Sequence, residues 1–137
     1  MKRIIGICIL FSSILSCQYI FQLENDENLN KKILKDLYAD RGISDFSKIT
    51  DFEWDSLIIL GPYSLIDRVE TELNLNLTNI RQNGIRYSDF YELIVFLKNK
   101  KSVKIVELKG VIKLVTPIID SGISIIPKDK CIFKRYS

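Results

Sequence analysis

The chain has 137 residues, of which 47% are hydrophobic and 27% charged, and its formal net charge is +3. This is globular composition, which excludes collagen-like, coiled-coil and wholly disordered chains. It contains no histidine, which removes Ser-His-Asp and Cys-His catalysis, histidine-liganded metals and a histidine pH switch together.

The first seventeen residues read as an address. Lys2 and Arg3 precede an apolar run from Ile4 to Leu15, interrupted by Gly6, Ser12 and Ser13. A helix of that length rises about 18 Å at 1.5 Å per residue, short of a hydrocarbon core about 30 Å thick. A basic start, a short apolar middle and small residues before a break predict a secretory signal peptide. The sequence Ile14-Leu15-Ser16-Cys17 resembles the lipobox of bacterial lipoproteins, with Leu15 bulkier than the residue often found there. The resemblance implies that the Cys17 thiol takes a diacylglyceryl group as a thioether. It also implies cleavage between Ser16 and Cys17 and acylation of the new amino terminus. Two or three acyl chains hold a protein stably on a bilayer where one does not. Gln18 in place of aspartate resembles proteins sorted to the outer membrane of cells that have two. The implied location is a cell membrane or outer membrane, lipid-anchored on the extracytoplasmic side.

With Cys8 in the leader and Cys17 lipidated, Cys131 has no partner for an intramolecular disulfide. It stands in the apolar stretch Cys131-Ile132-Phe133, which predicts a small buried hydrophobe rather than a reactive thiol. The expected organisation is a signal peptide over 1–16, a lipidated tether over 17–24 and a single domain over 25–137. Charge divides along the chain. Residues 17–72 hold twelve acidic and six basic side chains, a balance of −6, and residues 73–137 hold five and twelve, a balance of +7. Such asymmetry fits either packing of opposite charges within the domain or a basic half facing an anionic surface. No Arg-Gly or aromatic-basic interleaving points to nucleic acid.

Within the domain, Asn25-Asp26-Glu27 predicts a helix cap. Leu29, Ile33, Leu34 and Leu37 follow at helical spacing, and Gly42 suits the left-handed residue that ends such a helix. Phe52 to Leu60 changes to strand period and becomes apolar on both faces, as in a central strand. Gly61-Pro62 stops it. Ser64 with Asp67 predicts a capping box for a second helix with Leu65, Ile66, Val69 and Leu73 as its stripe. Residues 74–90, polar and punctuated by Asn83-Gly84, predict a loop or short hairpin. Tyr91–Lys98 and Ser102–Lys109 predict a hairpin turned by Asn99-Lys100-Lys101. Gly122–Pro127 and Cys131–Tyr136 predict another, turned by Lys128-Asp129-Lys130, while 110–117 is ambiguous between strand and loop. The expected fold is α+β, with the order α-β-α-β-β-β-β: an antiparallel sheet of about four to five strands with two helices packed on one face.

Candidate sites are few. Asp51, Glu53 and Asp55 alternate, so a strand would place them on one face, but the glycine and distal glutamate of a calcium loop are absent. No spacing selects a hydrolytic carboxylate pair from Glu53, Asp55, Glu92 and Glu107. Trp54-Asp55, the apolar run after them and Gly61-Pro62-Tyr63 resemble a motif in small uncharacterised bacterial lipoproteins, a likeness that implies no activity. Trp54, Asp55 and Tyr63 therefore mark a candidate ligand or partner patch. Lys98, Lys100, Lys101 and Lys104 form the densest positive cluster. They fit an exposed turn kept soluble, or contact with anionic headgroups. The expected function is a membrane-anchored envelope lipoprotein, held to the bilayer through acylated Cys17, that acts without catalysis or cofactor by binding or structural interaction with an envelope protein or anionic surface. The alternatives are a small-ligand binder and a carboxylate-dependent hydrolase.

Overall fold

The computed structural model describes residues 21–109, 112–114 and 123–135. The predicted leader, the Ser16–Cys17 cleavage pair and the first residues of the expected tether lie outside them. The domain is α+β. Helix α1 (Glu27–Leu37) begins where Asp26 Oδ1 accepts the Leu29 amide at 2.9 Å, and it buries Leu29, Ile33 and Leu37. The three-residue strand β1 (Ile43–Asp45) and the one-turn helix α2 (Phe46–Ile49) follow. Strand β2 (Ser56–Leu60) leads to helix α3 (Ile66–Leu73), then to two short 3-10 turns at Thr78–Ile80 and Gly84–Tyr87. The rest is strand: β3 (Glu92–Lys98), β4 (Lys101–Leu108), β5 (Ile112–Leu114), β6 (Ile126–Pro127) and β7 (Ile132–Arg135), with a 3-10 turn at Lys128–Lys130 between the last two.

The strands form two antiparallel sheets, a four-stranded one ordered β4-β3-β2-β6 and a three-stranded one ordered β1-β7-β5. The β3–β4 hairpin forms where the sequence predicts it. Its two-residue turn holds Asn99 at φ 50° and Lys100 at φ 65°, the left-handed pair that matches the twist of a tight hairpin. By contrast, β6 and β7 do not pair with each other. Ile126 pairs with Leu57 of β2, whereas Ile132 pairs with Asp45 of β1. The Lys128–Lys130 turn thus passes the chain from one sheet to the other instead of reversing it within one.

The helices expected on one face lie on opposite faces of the four-stranded sheet. Pairing puts Leu57, Phe96 and Lys104 on one face and Ile58, Val95 and Ile105 on the other. The first face carries α1, Phe46 and Phe133 of the smaller sheet; the second carries α3 and the segment from Leu75 to Ile85. Strands β2 and β3 are therefore apolar on both sides, as a central strand between two layers must be. The region 74–90 holds no hairpin: Leu75, Leu77, Ile80 and Ile85 are buried and close the second face.

Local signals differ in three further places. Paired strand begins at Ser56, not Phe52, because β3 turns away at Asn99 and leaves residues 52–54 without a ladder partner. Ser64 does not cap α3; its hydroxyl donates to the Gly61 carbonyl at 2.6 Å, closing the turn, and Leu65 occupies the cap position without a side-chain bond. Gly42 is left-handed (φ 61°) but stands one turn beyond the helix end, where its carbonyl accepts the Arg135 amide at 2.9 Å. It brings β1 alongside β7, and α1 ends at Tyr38.

Candidate functional site

Trp54 is 3% exposed. Its indole N–H donates to Thr50 Oγ1 at 2.8 Å, and Thr50 in turn donates to the Phe46 carbonyl at 2.9 Å. A buried indole needs such a partner, and the Thr50 relay ties the 50–54 segment to α2. The ring meets Phe96 edge-on at 4.9 Å. Phe52 also meets Phe96 edge-on, at 5.2 Å, and Phe46 lies tilted against Phe133 at 4.4 Å. Trp54 is thus part of the aromatic core, with Lys128 Nζ 5.0 Å from its ring centre.

Asp55 lies at the exposed edge of that layer. Its carboxylate accepts the Asn99 amide at 2.8 Å and the Ser56 hydroxyl at 2.8 Å. The Asn99 amide, opposed by burial and helped by Ser56 and the charge of Lys98, holds its pKa below the usual carboxylate value. Asp55 is therefore a clamp on the β3–β4 turn. Tyr63 is elsewhere. Strand β2 separates it from Trp54 and Asp55, and its amide donates to the Ile85 and Ser88 carbonyls at 3.0 and 3.3 Å. The structure brings Trp54 and Asp55 together but places Tyr63 at the other end of the sheet.

The carboxylates do not converge either. Glu92 pairs with Leu108 and Glu107 with Leu93, so their side chains leave opposite faces of the sheet. Burial raises the Glu92 pKa. Glu107 Oε1 accepts Asn83 Nδ2 at 3.0 Å, while Asn83 Oδ1 accepts the Tyr91 hydroxyl at 3.0 Å. Burial first, then the charge of Glu107, raises the Tyr91 pKa. Asp51, Glu53 and Asp55 precede the paired strand, and among the described residues no group of three or more Cys, Asp or Glu side chains is placed to hold a metal ion.

Cys131 is buried, and its thiol donates to the Pro127 carbonyl at 3.2 Å. Burial, then the charges of Asp45 and Asp129, pushes its pKa up to about 12. Of the four clustered lysines, Lys104 is paired with Asp26 at 3.0 Å and lies 4.7 Å above the Phe52 ring. Burial opposes ionisation of Asp26, but the Leu29 amide and Lys104 outweigh it, and its pKa falls. Lys100 and Lys101 are exposed and Lys98 half-buried.

Composition and spacing do not single out how the chain enters the domain. The expected tether runs to Glu24, but among the described residues bonding to the domain begins at Gln22. Its side chain donates to the Thr78 carbonyl at 2.9 Å and accepts the Gln82 amide at 3.2 Å. Leu23 N donates to the Asn79 carbonyl at 2.7 Å, and Asn25 bridges Ile105 in parallel. A cleft of about 350 Å³ lies between this segment and the Gln82–Gly84 bend, with Glu107 in its lining. Its polar lining includes no cluster of groups poised for chemistry. The alternation of Asn74, Asn76 and Leu73, Leu75, Leu77 was the one sequence signal that this region lies against a sheet edge. Among the described residues no helix is long and apolar enough to cross a membrane. No protein-family model, curated protein or solved structure matches the chain.

Proposed function

We propose that this chain is a membrane-anchored envelope lipoprotein, cut between Ser16 and Cys17 and acylated on Cys17, whose α+β domain acts without catalysis as a binding or structural module. The observation that carries the reading is Ile14-Leu15-Ser16-Cys17 at the end of a short apolar run with a basic start. The entry of the chain supports it. Five peptide links separate Cys17 from Gln22, the first of the described residues to hydrogen-bond to the domain. Fully extended they span at most about 18 Å, so an acylated Cys17 holds the domain against the bilayer. The test is metabolic labelling with a fatty acid in the organism that carries the protein. The wild-type chain takes up label and Cys17→Ala does not; label retained by Cys17→Ala, or none in the wild type, contradicts the reading.

A further inference from the structure

We propose that the hairpin end of the four-stranded sheet, where Lys98, Lys100 and Lys101 stand beside the point of chain entry, rests on the anionic headgroups of the bilayer that holds Cys17. This rests on the lipid-anchor reading above and adds which surface faces the membrane.

Three observations carry it. First, a short bonded path joins the entry segment to the hairpin tip. Gln22 and Leu23 bond to Thr78 and Asn79. Two residues earlier, the Asn76 amide donates to the Lys100 carbonyl at 2.8 Å and the Asn76 carbonyl accepts the Ser102 amide at 3.2 Å. Asn79 Nδ2 also donates to the Ser102 carbonyl at 2.8 Å. The entry segment runs parallel to β4, so followed back toward Cys17 it heads for the hairpin end. Second, the charge there is uncompensated in the right place. Lys104 is neutralised by Asp26, and Asp55 faces the turn amide and Lys98. Lys100 and Lys101 are exposed and have no ion pair among the described residues. An anionic bilayer attracts such side chains within about a Debye length, about 8 Å at physiological salt. The short link lets the domain lie close enough to bring them within that reach. Third, Lys100 occupies a left-handed turn position at φ 65°, where glycine sits without strain and lysine does not. The exposed Phe21, next to the entry point, adds an apolar ring of the kind that buries at the boundary between headgroups and acyl chains.

The experiment uses the acylated protein in vesicles of phosphatidylcholine alone or mixed with phosphatidylglycerol, with a small amine reagent as footprint. Labelling of Lys98, Lys100 and Lys101 is expected to fall about fivefold per lysine in the anionic vesicles. It should recover in 1 M salt, while Lys31, Lys32 and Lys35 on α1 label equally in both. Equal labelling of the hairpin lysines in both vesicle types overturns the inference and leaves the anchor standing. Protection independent of lipid charge, as a second copy of the chain would give, also overturns it. Protein that floats with neither vesicle type and carries no acyl mass overturns the anchor reading and this inference with it.

Discussion

The two ends of the four-stranded sheet, about 17 Å apart along β2, carry different chemistry. At the hairpin end the chain enters, Asp55 clamps the turn and Lys100 and Lys101 stand exposed. At the other end Tyr63, Tyr87 and Phe90 stand in solvent at 59%, 82% and 78% exposure, with Arg86 over the Tyr87 ring at 5.7 Å. Each end also keeps a bulky residue in left-handed backbone, Lys100 at φ 65° and Tyr63 at φ 63°. Strain of this kind at an exposed turn points to a side chain retained for what it contacts rather than for the fold. The sheet thus separates a charged end next to the entry point from an aromatic end away from it.

The largest effect comes from removing what the hairpin end stands on. Phe96 touches the rings of Phe46, Phe52 and Trp54. Phe96→Ala should cost about 3–5 kcal/mol in urea unfolding; a loss under about 1 kcal/mol would show that the aromatic layer does not support the hairpin.

Next come the two strained turns. Lys100→Gly and Tyr63→Gly should each stabilise the domain by roughly 1 kcal/mol, read as a rise in Tm. Destabilisation at either position would mean that its side chain contributes more to packing than its exposure allows.

That hairpin was also the most legible part of the fold. Its apolar alternation and the Asn99-Lys100 turn are local, and local signals survive folding. The helical stripes of α1 and α3 were equally plain, but a stripe does not say which face of a sheet it covers, so their placement on opposite sides needed the structure. Cys131 reads as buried from its neighbours alone. Strand β1 and helix α2, three and four residues long, are below the length at which periodicity exists. Lys128-Asp129-Lys130 carries ordinary turn composition, and composition does not distinguish a reversal from a step between sheets. The three residues of the candidate patch are spread apart for a related reason. Trp54, Asp55 and Tyr63 are near in sequence, but a five-residue strand between them sends Tyr63 to the other end. The polar look of 74–90 hid a row of buried aliphatic residues because the asparagines between them make the edge bonds.

Smaller effects separate the two ends by pH. Asp55, at the hairpin end, has a depressed pKa in the folded chain. It contributes stability that is present above its unfolded pKa and lost as pH falls through the folded one. Asp55→Asn should flatten that acid limb of the stability curve. Glu92, at the opposite end, has a raised pKa, so its contribution is fully present below the unfolded value and lost as pH rises through the folded one. Glu92→Gln should therefore raise Tm at pH 7 relative to pH 4. An unchanged pH profile in both variants would remove this distinction between the ends. The smallest signal is a rate: Cys131, buried with its pKa near 12, should react with a thiol reagent at pH 8 only as fast as the domain unfolds.

The proposed lipid anchor depends on Cys17. Intact-mass measurement of the protein taken from the organism that makes it tests this directly. The predicted mass is that of a chain beginning at Cys17 and carrying a diacylglyceryl group, with or without a further acyl chain. A chain retaining its first sixteen residues, or one beginning at Cys17 without acyl mass, would contradict it.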